Sequence, residues 1–215
     1  MAFTVAIDGP AAAGKGTISQ AVAQHFGFAH LDTGLLYRAV GWLHLQGQDP
    51  LAAAHNLDLS SIDTTALRTA NVAEAASKLA AIPDIRQALS EFQKNFARAP
   101  GGAVLDGRDI GTVICPNAEA KLFITARAET RAQRRFAELK RSDKTVQHAT
   151  VLKAVLERDA RDKTRASAPL QAASDAHHLD TSDLTIQQAC SDAITYIAKI
   201  QRLSLIHISE PTRPY

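Results

Sequence analysis

The chain has 215 residues, 46% of them hydrophobic and 21% charged, and a formal net charge of +2. That is enough for one domain with a sizeable core, and the weakly basic balance does not argue for a duplex nucleic-acid binder, which needs a strong basic face. Two cysteines, Cys115 and Cys190, are too few for a disulfide framework and read as inert core thiols in a reducing compartment. Met1–Ile7 has neither the basic nor the apolar segment of a signal peptide, and no apolar run approaches the roughly 20 residues of a bilayer span. A cytoplasmic protein follows, monomeric by default, with no membrane and no nucleic-acid partner.

Phe3–Ile7 is a short apolar run that enters a glycine-rich loop. The segment after the loop places Ile18, Ala21, Val22 and Phe26 on one helical face, so the order is strand, loop, helix. Phe28–Leu31 reads as a second strand, ending at Asp32-Thr33-Gly34. A helix follows with Leu36, Val40 and Leu43 inward. Pro50–Asp63 is loop-like, and Ala66–Ala81 reads as one alanine-rich helix. Pro83 opens another helix, with a stripe of Ile85, Leu89, Phe92 and Phe96. Ala103–Leu105 is a third strand, ending at Asp106-Gly107-Arg108-Asp109, and Ala120–Ile124 is a fourth. Two charged helices follow, about 129–141 and 151–161, and then a fifth strand at Ala176–Leu179. The last helix starts near Thr185, where Thr185-Ile186-Gln187-Gln188 fits a capping box, and its inner face carries Ile186, Ala189, Ala193 and Ile197. Nearly all-apolar strands alternating with helices predict an α/β fold with a doubly wound, five-stranded parallel sheet. Residues 203–215 do not continue the helical face cleanly. They resemble the translation of a sequencing-library adaptor, so the domain is expected to end near 202; a genuine short extension is the alternative.

Gly9-Pro10-Ala11-Ala12-Ala13-Gly14-Lys15-Gly16-Thr17 carries the Walker A core, Gly-x-x-x-x-Gly-Lys. Its glycines let the backbone wrap a phosphate, successive N–H groups and the helix N-terminus point at the anion, and Lys15 reaches the outer phosphates. The usual hydroxyl is displaced by one residue, to Thr17, the candidate magnesium ligand. ATP and Mg²⁺ are the expected donor and cofactor. A kinase whose acceptor is a nucleotide must also hold a second phosphate, which calls for arginines converging from distant segments. Tyr37 and Arg38, Arg86, Arg108, and the late set Arg158, Arg161 and Arg165 are the candidates. Residues 127–165 hold 12 of the 24 Lys and Arg, against 6 Asp and Glu. Arg127, Arg131, Lys140 and Lys153 there read as a solvated face, whereas Arg134 or Arg135 is expected to face the donor phosphates. A monophosphate, largely dianionic at neutral pH, needs no base. A hydroxyl acceptor would use Asp32 or Asp106, so a small-metabolite kinase stays open at this point, as does a P-loop switch.

Several phrases resemble the bacterial cytidylate kinase family. They are Ile7-Asp8-Gly9-Pro10 with Gly14-Lys15-Gly16-Thr17; Leu31-Asp32-Thr33-Gly34 with Tyr37-Arg38; Ala75-Ala76-Ser77 with Ile82-Pro83 and Arg86; Leu105-Asp106-Gly107-Arg108-Asp109-Ile110-Gly111-Thr112-Val113; and Glu157-Arg158-Asp159-Ala160-Arg161-Asp162 with Arg165 and Ala168-Pro169-Leu170. The resemblance spans about residues 1–200. It implies a P-loop nucleoside monophosphate kinase fold that phosphorylates CMP and dCMP from ATP, with a CMP-binding region at about 34–100 and a lid at about 134–165. By the same resemblance Ser77, Arg86 and Asp109 read the cytosine edge. Thr33, Arg38, Arg108 and Arg165 hold the acceptor phosphate and the transferring group, with Lys15 and Arg161 completing the catalytic set, and Arg158 and Asp162 contact the sugar. Asp106 is a candidate magnesium-side group. Many family members carry a β-rich insertion before the Ala-Ala-Ser phrase. Here only Leu57–Thr69 stands in that place, so this is expected to be a short form.

Overall fold

Five short apolar runs pair into one all-parallel sheet in the order β2-β3-β1-β4-β5. The computed structural model describes residues 2–141 and 143–209. Its strands are β1 (Thr4–Asp8), β2 (Ala29–Asp32), β3 (Ala103–Gly107), β4 (Ala120–Thr125) and β5 (His177–Asp180). Its helices are α1 (Lys15–Phe26), α2 (Thr33–Leu45), α3 (Pro50–His55), α4 (Ala70–Leu79), α5 (Pro83–Phe96), α6 (Ala128–Leu139), α7 (His148–Thr164) and α8 (Ile186–Ser209). The doubly wound parallel fold expected from the sequence is the fold observed.

Successive strand residues point to opposite faces, and both faces are covered. Ala6 and Leu105 pack with Leu36, Val40, Ile85 and Leu89 from α2 and α5. Val5, Ile7 and Val104 pack on the other face with Ile18 and Val22 of α1 and Ala193 and Ile197 of α8. Ile7, Leu105 and Ile124 are fully buried, each worth about 2–3 kcal/mol of apolar transfer. α2 and α4 come close where Gly41 has no side chain: a Cβ there would stand 3.0 Å from the Ala76 nitrogen. That approach brings Ser77 toward the residues of α2.

Four expectations need correction. Pro50–His55 is a helix and not loop, started by proline in its first turn and by the Asp49 carboxylate, which accepts from the Ala52 N–H at 2.8 Å. The segment 66–81 is broken: Ala66–Arg68 forms a 3₁₀ turn, and α4 starts only after Thr69, whose hydroxyl accepts from the Val72 N–H. Phe92 is 51% exposed, and Gln93 takes the buried place beside it, donating to the Leu89 carbonyl. Ile186 is 65% exposed and not on the inner face. The Thr185–Gln188 capping box forms as read, with reciprocal bonds of 2.9 and 3.2 Å. α8 runs on through position 203 to Ser209; residues 210–215 lie outside the described residues. Leu57–Thr69 holds two 3₁₀ turns and no strand.

Every strand ends at the same edge of the sheet. In parallel α/β sheets the ligand crevice lies outside the carboxyl ends of the strands, and the loop before Lys15, Asp32-Thr33 and Arg108-Asp109 follow directly from the ends of β1, β2 and β3.

Candidate active site

β1 turns into α1 through the glycine-rich loop, and the geometry of that turn is forced. Gly9 has φ +145°, and a Cβ on it would meet the Ile124 carbonyl oxygen of β4 at 1.9 Å. Gly14 caps α1 at φ 95°. Ala12 sits in the left-handed region at φ 59°, a conformation that costs an L-residue roughly 1–2 kcal/mol. The loop thus ends at the start of α1, whose first N–H groups have no partner within the helix, an anion-binding arrangement.

Lys15 is buried, and its ammonium donates to the Pro10 carbonyl at 2.9 Å. Burial, aided by the nearby Arg108, pushes its pKa down to about 7, against the pull of Asp106 and Asp32. Those two carboxylates are neighbours because parallel pairing sets Asp32 of β2 beside Asp106 of β3. Burial first, then repulsion from Asp106, pushes the Asp32 carboxyl up. The Thr33 hydroxyl donates to the Asp106 carbonyl at 2.8 Å, and His30 Nε2 lies 2.9 Å from the Asp106 carboxylate. Thr17 is exposed, and its hydroxyl has no hydrogen bond to the chain among the described residues.

A second cluster lies beyond Arg108. Asp109, buried, pairs with Arg86 on one oxygen and with Arg165 at 3.3 Å on the other. Burial pushes the Asp109 carboxyl up against the pull of both guanidiniums. Arg86 also lies over the Tyr37 ring, 5.8 Å from its centroid. Arg161 reaches the Ser77 hydroxyl at 3.4 Å. Arg108 donates to Asp162 at 3.0 Å, and Arg158 lies 3.8 Å from the same carboxylate oxygen. Burial pushes Asp162 up, but Arg108 and Arg158 outweigh it and hold the carboxyl below its ordinary range. Arg158 Nε is buried with no hydrogen bond among the described residues, and burial together with Arg108 pushes its pKa down to about 9. Guanidiniums from the turn after β3, from α5, from α7 and from the segment after α7 therefore converge, and Arg108 links them to Lys15. Arg38 stands apart from these ion pairs, donating to the Leu67 carbonyl at 2.9 Å.

On the other side of the loop a cleft of about 300 Å³ is lined by Ala13, Gly14, Thr17, Arg134, Arg135 and Ile186, among others. Both Arg134 and Arg135 face it. Arg131 belongs to no solvated face: it is 4% exposed and pairs with Asp159 of α7, while donating to the Ala126 carbonyl at 2.8 Å and the Ala11 carbonyl at 3.3 Å. Arg127, Lys140 and Lys153 are exposed, as the charge pattern indicates. The cleft wall from Thr181 to Ala189 is missing from the sequence reading. Ile186 keeps the helical period of a core residue, and only its position at the first turn of α8, opening onto the cleft, signals otherwise.

Burial also pushes the Cys115 thiol up to about 11 and raises Cys190, which favours the protonated thiol in both. Asp8 is fully buried, accepts from the Ile110 and Gly111 N–H groups at 2.8 and 2.7 Å, and is pushed up to about 6 by burial.

A phosphate loop at β1, a convergent arginine cluster at the ends of β2 and β3, and a charged helical pair over both define a P-loop kinase of the nucleoside monophosphate kinase type. The family model for cytidylate kinase matches residues 5–65 and 59–199, two pieces that meet in the short stretch before α4. The chain is 60% identical over 197 residues to a cytidylate kinase of Cereibacter sphaeroides strain KD131, covering 92% of this chain and 96% of that protein. It is 54% identical over 201 residues to a cytidylate kinase of Xanthobacter autotrophicus, covering 91% and 97%. The chain belongs to the cytidylate kinase family. Among solved structures, a gluconokinase from Sinorhizobium meliloti (TM-score 0.53, 12% identity, 97% of this chain and 98% of that one) and a shikimate kinase from Bacteroides thetaiotaomicron (0.51, 8%, 93% and 98%) share the fold.

Proposed function

We propose that this chain moves the γ-phosphoryl group of ATP to CMP or dCMP, with the donor over the phosphate loop and the acceptor against the arginine cluster. The observation that carries the reading is the continuous run of charge from Lys15 through Arg108 and Asp162 to Arg165, Asp109 and Arg86. It supports two anionic ligands meeting end to end.

Cytosine carries an amine at position 4, which donates to the Asp109 carboxylate; Ser77 and Arg86 donate to O2 and N3. Uracil has a carbonyl at position 4 and would face that carboxylate oxygen to oxygen, two acceptors with no proton between them. Thr33, Arg38, Arg108 and Arg165 hold the acceptor phosphate. Arg158 Nε, buried without a hydrogen bond, and Asp162 suit the sugar hydroxyls. Tyr37 packs beside the base. An acceptor phosphate oxygen forms a bond to the γ-phosphorus as the bond to the β,γ-bridging oxygen breaks, and that electron pair leaves with ADP. No carboxylate base is needed because the acceptor's second pKa is about 6. Lys15, Arg108, Arg161 and Arg165 neutralise charge in transit.

Magnesium takes oxygen ligands and keeps several waters. The free Thr17 hydroxyl, with Asp32 and Asp106 beside Lys15, fits that chemistry, and Thr17 would hold the ion, with Asp106 on its side. Bound there, Mg²⁺ supplies charge neutralisation of the outer phosphates. The region at about 34–100 serves as the acceptor-binding part and about 134–165 as a lid, with residues from 203 on outside the domain. The chain acts as a monomer in the cytoplasm, whose reducing state suits two free thiols; among the described residues no helix is long and apolar enough to cross a membrane. A coupled assay across CMP, dCMP, UMP, AMP and shikimate tests the assignment. CMP and dCMP are turned over best; turnover of shikimate with none of CMP overturns it.

A further inference from the structure

Thr181 follows β5 and is 2% exposed, yet its one hydroxyl stands where three parts of the donor site meet. Oγ1 lies 2.9 Å from the Ala13 carbonyl of the phosphate loop and 3.1 Å from the Thr125 carbonyl at the end of β4. Arg134 Nη1 donates to Oγ1 at 3.0 Å, and Arg134 Nη2 donates to the Thr181 carbonyl at 2.7 Å. A hydroxyl has a single proton and two lone pairs. The Thr125 carbonyl is already served by the Thr181 N–H at 2.8 Å. The proton therefore goes to Ala13, and a lone pair takes Arg134.

Both bonds bear on the loop. The peptide between Ala13 and Gly14 is planar and trans, so its C=O and N–H point in opposite directions. Fixing the Ala13 carbonyl on Thr181 turns that oxygen away from a bound anion and fixes the Gly14 N–H on the opposite side. The guanidinium is fixed in turn: Nη1 lies 4.0 Å from where a Cβ on Gly14 would stand, at the mouth of the cleft. We propose that Thr181 is a positioning residue for the phosphoryl donor, its hydroxyl orienting one loop peptide and, together with its own carbonyl, the Arg134 guanidinium. The inference rests on the reading above, that the donor triphosphate lies over this loop. It concerns the donor alone, since among the described residues Thr181 bonds only to Ala13, Thr125 and Arg134, none of them in the Arg86–Asp109–Arg165 cluster.

Thr181→Val keeps the shape and removes both bonds, and Thr181→Ser keeps the hydroxyl. ATP binding by calorimetry, KM for each substrate and thermal unfolding are measured for both variants and for the unaltered protein. Thr181→Val is expected to weaken ATP binding and raise KM for ATP about tenfold, with KM for CMP within twofold. Thr181→Ser should restore both to within about threefold. In an Arg134→Ala background the valine substitution should cost distinctly less than tenfold, because one of its two targets is gone. If valine prevents folding, Thr181→Ala removes the same hydroxyl without setting a methyl group against the Ala13 carbonyl. Unchanged ATP binding in the variant, equal shifts in both KM values, or a lower melting temperature with both KM values intact would each overturn the proposal. A complete lack of ATP binding by the unaltered protein would instead remove the donor-site reading beneath it.

Discussion

Lys15 offers a proton count as a test of the donor site. In the free protein it is buried, its ammonium bonded among the described residues only to the Pro10 carbonyl, and its pKa lies at about 7 against an ordinary 10.5. Between those two values the unfolded chain binds more protons than the folded one, so the free protein's stability rises with pH across that window and falls as pH drops toward 7. A triphosphate in the loop reverses the balance, because it sets several negative charges beside the ammonium and drives the pKa back up. At pH 8 about nine-tenths of Lys15 is neutral in the free protein by simple titration, so binding of Mg-ATP takes up about 0.9 proton. At pH 6 the uptake falls to about 0.1 proton. Calorimetry in two buffers of different ionisation enthalpy reads this directly. Lys15→Arg keeps the charge but cannot lose its proton in this range, so its uptake at pH 8 should vanish even if binding weakens. Equal heats in both buffers at pH 8, or an uptake untouched by Lys15→Arg, would refute the reasoning.

Asp109→Asn removes the charge and exchanges one of two acceptor oxygens for a donor where the cytosine amine is expected. Its kcat/KM for CMP should fall about 10–100-fold, the worth of one charge-assisted hydrogen bond, with ATP affinity within twofold; equal loss of both would make Asp109 a structural residue. Gly9→Ala sets a methyl group 1.9 Å from the Ile124 carbonyl oxygen, which belongs to a paired strand and cannot yield. Urea unfolding should show a loss of more than about 3 kcal/mol. Asp159→Asn leaves the buried Arg131 without its ionised partner; it should cost about 3 kcal/mol in the same measurement and loosen α6 from α7.

Much of this was legible in the sequence because it is local. A strand, a glycine-rich turn and a helix follow each other within Thr4–Phe26, and the residues that carry phosphate chemistry are contiguous there. The arginines were found by type and number, but not by partner. That Arg131 is buried while Arg127, four residues earlier, is exposed depends on α7 packing across α6, which periodicity within α6 does not report. α3 stayed hidden because it is 6 residues long, too short for a period to show, although Asp49-Pro50 is a helix start in its own right. Thr181 was invisible for a different reason. Its three partners lie 47, 56 and 168 residues away in the chain, and only the sheet order, which sets β5 beside β4 and close to the loop, brings them together. Asp8 was quoted within a phrase, yet its grip on the Ile110 and Gly111 amides spans more than a hundred residues.

The most direct test is binding of a single molecule in which adenosine and cytidine are joined through a chain of five phosphates. The two-site account predicts one molecule bound per chain, tighter than ATP or CMP alone, displaced by either nucleotide, and weakened by both Lys15→Met and Asp109→Asn. Displacement by ATP alone, with Asp109→Asn indifferent, would mean that the arginine cluster does not receive the second nucleotide, and the account would be contradicted.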